Sequence, residues 1–246
     1  MEALTDAIVI KGLCKRYGGR EAVRGLDLSV HRGELFSLLG VNGAGKTTTV
    51  RMLSGLIAPT AGDAWIEGHS IRTESEAVKK IIGISMQETA VAEKLTVFEN
   101  LVFMARIAGE GPKTAKAHAM KLAERFGLTG HLKNTAKTLS GGLMRRLSIA
   151  MALISDPGVL FLDEPTLGLD VLARRELWDV ISSLHGRVTV ILTTHYMEEA
   201  EELSDRIGIL ADGKLTALGT AEELRVRAGK DRFEDAFVAY VRGEVH

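Results

Sequence analysis

One segment limits the fold of this 246-residue chain more than any other. "ELFSLLGVNGAGKTTTVRMLSGL" sets an apolar run, a glycine-rich loop and a helix-periodic stretch in that order. Residues Gly40 to Thr47 fit G-x-x-x-x-G-K-[ST] in full, in the strand–loop–helix context that gives the pattern its meaning. Glycines let backbone N–H groups converge on phosphate oxygens, and the helix N-terminus adds positive potential. Lys46 can reach the β- and γ-phosphates, and the Thr47 hydroxyl can ligate Mg²⁺. The competing reading is a glycine-rich turn with a chance lysine; the strand before and the helix after weigh against it. The loop says nucleotide, without separating kinases, GTPases, motors and transport ATPases.

The rest of the chain alternates between strand and helix patterns. "AIVIKGLCKRY" and "VRGLDLSVHRG" read as short strands, the second ending in a turn at Gly33. Further short strands are expected at 64–67 and around 81–86. From about 96 to 154 the spacing turns helical. Phe98, Leu101, Ala105 and Ala108 mark one helix, Ala115, Ala119, Leu122 and Phe126 a second, with "GEGP" at 109–112 between them, and a third starts near Ser140. "GVLFLDEP" and "VTVILTTH" read as buried strands, "RRELWDVISSL" and "MEEAEELS" as helices. "RIGILADGKLTALG" reads as a hairpin turning at Asp212-Gly213. This order predicts an α/β core with a mainly parallel sheet and a helical insertion, in a single domain.

Three more strand ends carry chemistry. "VLFLDE" puts Asp163 and Glu164 at the C-terminal end of a buried strand, where open parallel sheets hold ligands. Asp163 can hold Mg²⁺ and Glu164 can polarise an attacking water. On an extended chain the two would point to different sides; a capping pair before "PT" is the alternative. His195 ends "VTVILTTH", where it could reach a γ-phosphate or the water; an isolated histidine more often caps or packs. Gln87 follows "IIGISM", where its amide could touch Mg²⁺.

The joint set, Tyr17, "GVNGAGKT", Gln87, "LSGG", "VLFLDE", "GLD" at 168–170 and His195, resembles the nucleotide-binding subunit of an ABC transporter over roughly residues 7 to 220. The resemblance implies a P-loop NTPase core (about 1–87 and 155–220) with an N-terminal antiparallel β part, a helical subdomain (about 88–154) and a short C-terminal extension (about 221–246). It implies that Tyr17 stacks on adenine, and that Gly40, Asn42, Gly43, Ala44, Gly45, Lys46, Thr47 and Thr48 bind phosphates and Mg²⁺. Gln87 would sense the γ-phosphate and border the surface that meets the membrane subunit. Asp163 would support Mg²⁺, Glu164 would be the catalytic base and His195 would complete the site. Ser140, Gly141 and Gly142 would bind the γ-phosphate of ATP held by a partner subunit, with Asp170 at the seam. The implied active form is a head-to-tail dimer, of identical or related chains, with two ATP molecules.

"TVFENLVFMARIAG", "LSGGLMRRLSIAMALISDP", "HYMEEAEELSDRIGIL" and "GTAEELR" resemble half-size exporters of the drug-resistance, sodium-export and nodulation type, whose permease is usually a separate chain; "MRR" after the signature stretch "LSGGL" points the same way. Full-size lipid exporters have similar domains. Import, a non-hydrolysing regulatory subunit, and a non-transport ATPase on ribosomes or DNA remain as alternatives. A net charge of −1 gives no electrostatic argument for nucleic acid. No run approaches the ~18 apolar residues of a membrane span, and the N-terminus, with acids up front, does not resemble a signal peptide. One cysteine, Cys14, fits a cytosolic chain. The expected place is the cytoplasmic face of the membrane, held through the permease, with too little sequence after "FEDAFVAYVRGEVH" for an added regulatory domain.

"LSGGLMRRLS" departs from the family at Leu143, where glutamine is common. Leu143, Leu147, Ala150, Met151 and Ile154 fall on one helical face, so Leu143 is expected to pack. Ser140 is expected to cap that helix, leaving the anion seat intact.

Overall fold

The computed structural model describes residues 5–245. Residues 1–4 and His246, where the expected domain limits and part of the acidic N-terminal stretch fall, lie outside them. The chain opens with two long strands, β1 (Asp6–Tyr17) and β2 (Arg20–His31), longer than the sequence suggests. They pair antiparallel, and β1 also pairs antiparallel with β4 (Ala61–Ile66), which pairs with β5 (His69–Ser70). The expected strand at 64–67 therefore starts earlier and ends one residue sooner. Gly62 makes the early start possible: a Cβ there would collide with the Gly12 carbonyl.

The second sheet has the order β10-β9-β3-β8-β7-β6. Its strands are β3 (Leu35–Leu39), β6 (Ile82–Ser85), β7 (Val159–Asp163), β8 (Thr189–Thr194), β9 (Arg206–Ala211) and β10 (Lys214–Gly219). All neighbours from β9 to β6 are parallel; β10 closes the edge as the antiparallel arm of the expected hairpin. Both turn residues, Asp212 and Gly213, have positive φ, as a two-residue hairpin of this type requires. Strands β3, β7 and β8 are buried along their whole length. That matches unbroken apolar runs covered on both faces.

Helix α1 (Lys46–Leu53) leaves the glycine loop. Helix α2 (Ser75–Ile81) has no counterpart in the sequence reading: "SEAVKKI" buries only Val78, so it shows no apolar stripe. Between β6 and β7 come α3 (Val97–Ile107), α4 (Pro112–Arg125) and α5 (Gly141–Ala152). Thr96 and Glu99 form a reciprocal capping box that starts α3, and Pro112 opens α4. Ala108 falls outside the buried stripe of α3; it caps the helix and is exposed. Helices α6 (Val171–Ser182) and α7 (Met197–Leu203) return to the sheet. Helices α8 (Ala221–Arg227) and α9 (Phe233–Arg242) pack on β9 through Leu224, Phe233, Phe237 and Tyr240. One apolar cluster joins α3, α4 and α5 to one face of the sheet, and another joins β1, β2 and α1 to the other.

Candidate functional site

Four carboxyl ends of adjacent parallel strands meet in one place. The glycine loop follows β3, Gln87 follows β6, Glu164 follows β7 and His195 follows β8. Ligands bind at this edge of an open α/β sheet. Here it holds a cleft of about 640 Å³ lined by Tyr17, Asn42, Gly43, Gly45 to Thr48, Gln87, Glu164 and His195.

The loop keeps its shape because side chains cannot fit. Gly45 has φ +109°, and a Cβ on it would sit 2.5 Å from the Ala22 carbonyl oxygen. A Cβ on Gly40 would sit 2.5 Å from the Leu210 carbonyl oxygen. Ala44 is buried against the sheet, while Asn42 is exposed at the loop tip. Lys46 is buried and folds back on its own loop, donating to the Gly40 carbonyl at 2.7 Å. Burial pushes its ammonium below the usual lysine range, and the nearby Glu164 carboxylate opposes that shift.

Glu164 is the pivot. One carboxylate oxygen lies 3.4 Å from Lys46 Nζ, the other 3.0 Å from His195 Nδ1. The expectation of an extended chain here fails, because Glu164 has φ +46°. The backbone turns left-handed as it leaves β7, at a cost that functional sites commonly carry. That turn, rather than strand alternation, separates the two carboxylates.

Asp163 sits deeper. Its Oδ1 accepts from Thr47 Oγ1 at 3.1 Å and from Thr193 Oγ1 at 2.5 Å. Its Oδ2 is buried with no hydrogen-bond partner among the described residues. A bare carboxylate oxygen beside a threonine hydroxyl fits a divalent cation that takes one or two protein ligands and completes its shell with phosphate and water. Thr193 completes this arrangement and also accepts from the Glu164 N–H at 3.2 Å. Sequence reasoning missed it, though "TTH" at the end of an apolar strand was a usable signal. Arg20, also missed, lines the cleft beside Gly43.

Ser140, Gly141, Gly142 and Asp170 do not line this cleft. Ser140 caps α5, accepting from the Leu143 N–H, and Asp170 caps α6, accepting from the Ala173 N–H at 2.9 Å. Gly141 and Gly142 let the two caps approach: a Cβ on Gly142 would meet Ala173 Cβ at 3.0 Å. Leu143 is half-buried against the apolar cluster of the helical block, as its place on the stripe predicts. Tyr17 is 48% exposed and lines the cleft, with Lys15 Nζ over its ring at 5.1 Å from the centroid.

A glycine loop between β3 and α1, with acid and histidine on the neighbouring strand ends, defines a P-loop nucleotide-binding protein. The family described as "ABC transporter" matches residues 23–167. The daunorubicin resistance ATP-binding protein DrrA3 of Streptomyces coeruleorubidus is 47% identical, over 93% of this chain and 72% of that protein. The linearmycin resistance ATP-binding protein LnrL of Bacillus subtilis is 40% identical, over 94% of this chain and 78% of that protein. The dimeric structure of MJ0796, a bacterial ABC transporter cassette, superposes with a TM-score of 0.78 at 25% identity, covering 87% of this chain and 98% of that one. The chain belongs to the ABC transporter ATP-binding family and is an ATP-hydrolysing subunit of that class.

Proposed function

We propose that the chain powers an exporter whose permease is a separate polypeptide, and that two copies, or this chain and a related one, close head-to-tail on two ATP molecules. The resistance functions named for DrrA3 and LnrL support the exporter branch, and the dimeric cassette supports the assembly. No helix among the described residues is long and apolar enough to cross a membrane. In the proposed assembly the chain is held at the cytoplasmic face through the permease. The domain reading is a core at about 1–87 and 155–220, a helical subdomain at about 88–154 and an extension at about 221–246; within the described residues, the position of α3 to α5 between β6 and β7 supports it.

In this reading Tyr17 stacks on adenine. Gly40 to Thr48 wrap the phosphates, and the phosphates replace the loop carbonyl as partner of Lys46. Thr47 and Asp163 would hold Mg²⁺, with Gln87 reaching the ion or its water, and the metal would supply charge neutralisation at the phosphates. Glu164 accepts a proton from water as its oxygen attacks the γ-phosphorus and the bond to the bridging oxygen breaks. His195 holds the Glu164 carboxylate in place through Nδ1. Ser140, Gly141 and Gly142 close on the γ-phosphate of the opposite copy, with Asp170 at the seam. ATP favours the closed dimer because only that state makes both sets of contacts. Hydrolysis reopens it.

The observation that carries the reading is the placement of Glu164 between Lys46 and His195 at the edge of the cleft. A steady-state ATPase assay tests it. Glu164→Gln should lower kcat at least about a hundredfold, in the range seen when a transition-state group is removed. Equal rates for the two proteins would sink the assignment.

A further inference from the structure

The arginine pair after the signature is not absorbed by the catalytic reading. Arg145 lies on α5, one and a half turns from Ser140, and is buried. Its guanidinium donates to the Met86 carbonyl at 2.7 Å and the Gln87 carbonyl at 2.8 Å. No carboxylate forms an ion pair with it among the described residues. Burial disfavours its charge, and Asp163 opposes that through space. A buried cation spent on two backbone carbonyls is costly unless it fixes something.

What it fixes is the turn that carries Gln87, which is otherwise exposed at the mouth of the cleft. The same helix face is tied to β6 twice more. Ser148 Oγ meets Ser85 Oγ at 2.8 Å in a buried contact. A Cβ on Gly83 would collide with the Ala152 carbonyl, so helix and strand are in backbone contact. Arg145, Ser148 and Ala152, spaced i, i+3 and i+7, form a rail along β6 that ends on Gln87.

We propose that Arg145 is a positioning residue that makes Gln87 and the N-terminus of α5 move as one piece. A shift of Ser140 as it meets the opposite copy's ATP would then carry the Gln87 backbone in this copy's own cleft. This rests on the roles proposed above for Ser140 and Gln87. The forked guanidinium matters, because two carbonyls on successive residues need two donors in a fixed geometry.

The test is a double-mutant cycle on the purified full chain, reading kcat, KM for ATP, the Mg²⁺ concentration for half activity, and Tm. Arg145→Gln should lower kcat about tenfold with KM changed less than about twofold. In a Gln87→Ala background the same substitution should lower kcat less than about twofold, because the residue it positions is gone. The half-saturating Mg²⁺ concentration should rise in Arg145→Gln as it does in Gln87→Ala. Equal fold losses in both backgrounds would overturn the proposal and mark Arg145 as a packing residue only. Where Arg145→Gln fails to fold, Arg145→Lys, which keeps the charge but not the fork, runs the same cycle with the same criterion. Glu164→Gln is the control: if it hydrolyses ATP at the wild-type rate, the site reading itself fails. A dead Glu164→Gln beside additive Arg145 losses removes only the coupling.

Discussion

Thr193→Val separates a working metal seat from a merely buried carboxylate. Valine keeps the branched shape that suits the fully buried β8, so strand and packing survive. What it removes is the donor 2.5 Å from Asp163 Oδ1. The Glu164 N–H loses one acceptor but keeps the Thr193 carbonyl at 3.0 Å, so no backbone group is orphaned. A hydrogen bond to a charged group is worth about 1.5–3 kcal/mol. For a chain of this size that is a fall in Tm of about 3–12 °C. Asp163 also loses one of its two hydroxyl tethers and is free to swing. The half-saturating Mg²⁺ concentration for ATPase activity should therefore rise several-fold, while Thr193→Ser, which keeps the donor, should restore most of it. Calorimetry and an Mg²⁺ titration of ATPase rate read both effects. An unchanged Tm with an unchanged Mg²⁺ titration would refute the argument, because Thr193 would then be neither a tether nor a charge partner.

Glu199 offers a pH test. It is fully buried, accepts from Trp178 Nε1 at 3.1 Å, and burial pushes its carboxyl above the usual 4.5 despite the facing hydroxyls of Thr194 and Thr166. The folded state thus binds a proton more tightly than the unfolded one, so this group's contribution is full below pH 4.5 and is lost as pH rises through the folded value. Glu199→Gln, which keeps the acceptor for Trp178, should gain Tm over wild type progressively from pH 5 to pH 8; a constant difference across that range would contradict the sign. At the signature, Leu143→Gln should change ATPase rate only a few-fold, since one partly exposed hydrogen bond is worth about 0.5–1.5 kcal/mol, whereas Ser140→Arg should nearly abolish it. A hundredfold gain from Leu143→Gln would mean the stretch is a degenerate phosphate seat.

Residues whose chemistry follows from type and spacing were legible in the sequence. The glycine loop, Asp163, Glu164 and His195 each end or follow an apolar run, and parallel-sheet topology brings such ends together without further information. The buried stripes of α4 and α5 were readable for the same reason, as was the Asp212-Gly213 turn. Helix α2 was not, because a seven-residue helix with one buried side chain carries no periodicity. The left-handed turn at Glu164 was also hidden, because glutamate rarely takes that conformation. Arg145 was invisible as a site residue because its partners lie about 58 positions away, and contacts that distant depend on the register of the finished sheet; Thr193, 30 positions from Asp163, was signalled only by its place in "TTH".

The proposed assembly splits each catalytic site between two chains. The measurement closest to it is the solution mass of Glu164→Gln by light scattering, with and without MgATP. The expected masses are a monomer without nucleotide, a dimer holding two ATP molecules with it, and a monomer again when Ser140→Arg is added. A Glu164→Gln chain that binds ATP tightly yet stays monomeric at every protein concentration, while the wild-type monomer turns over at full rate, would contradict it.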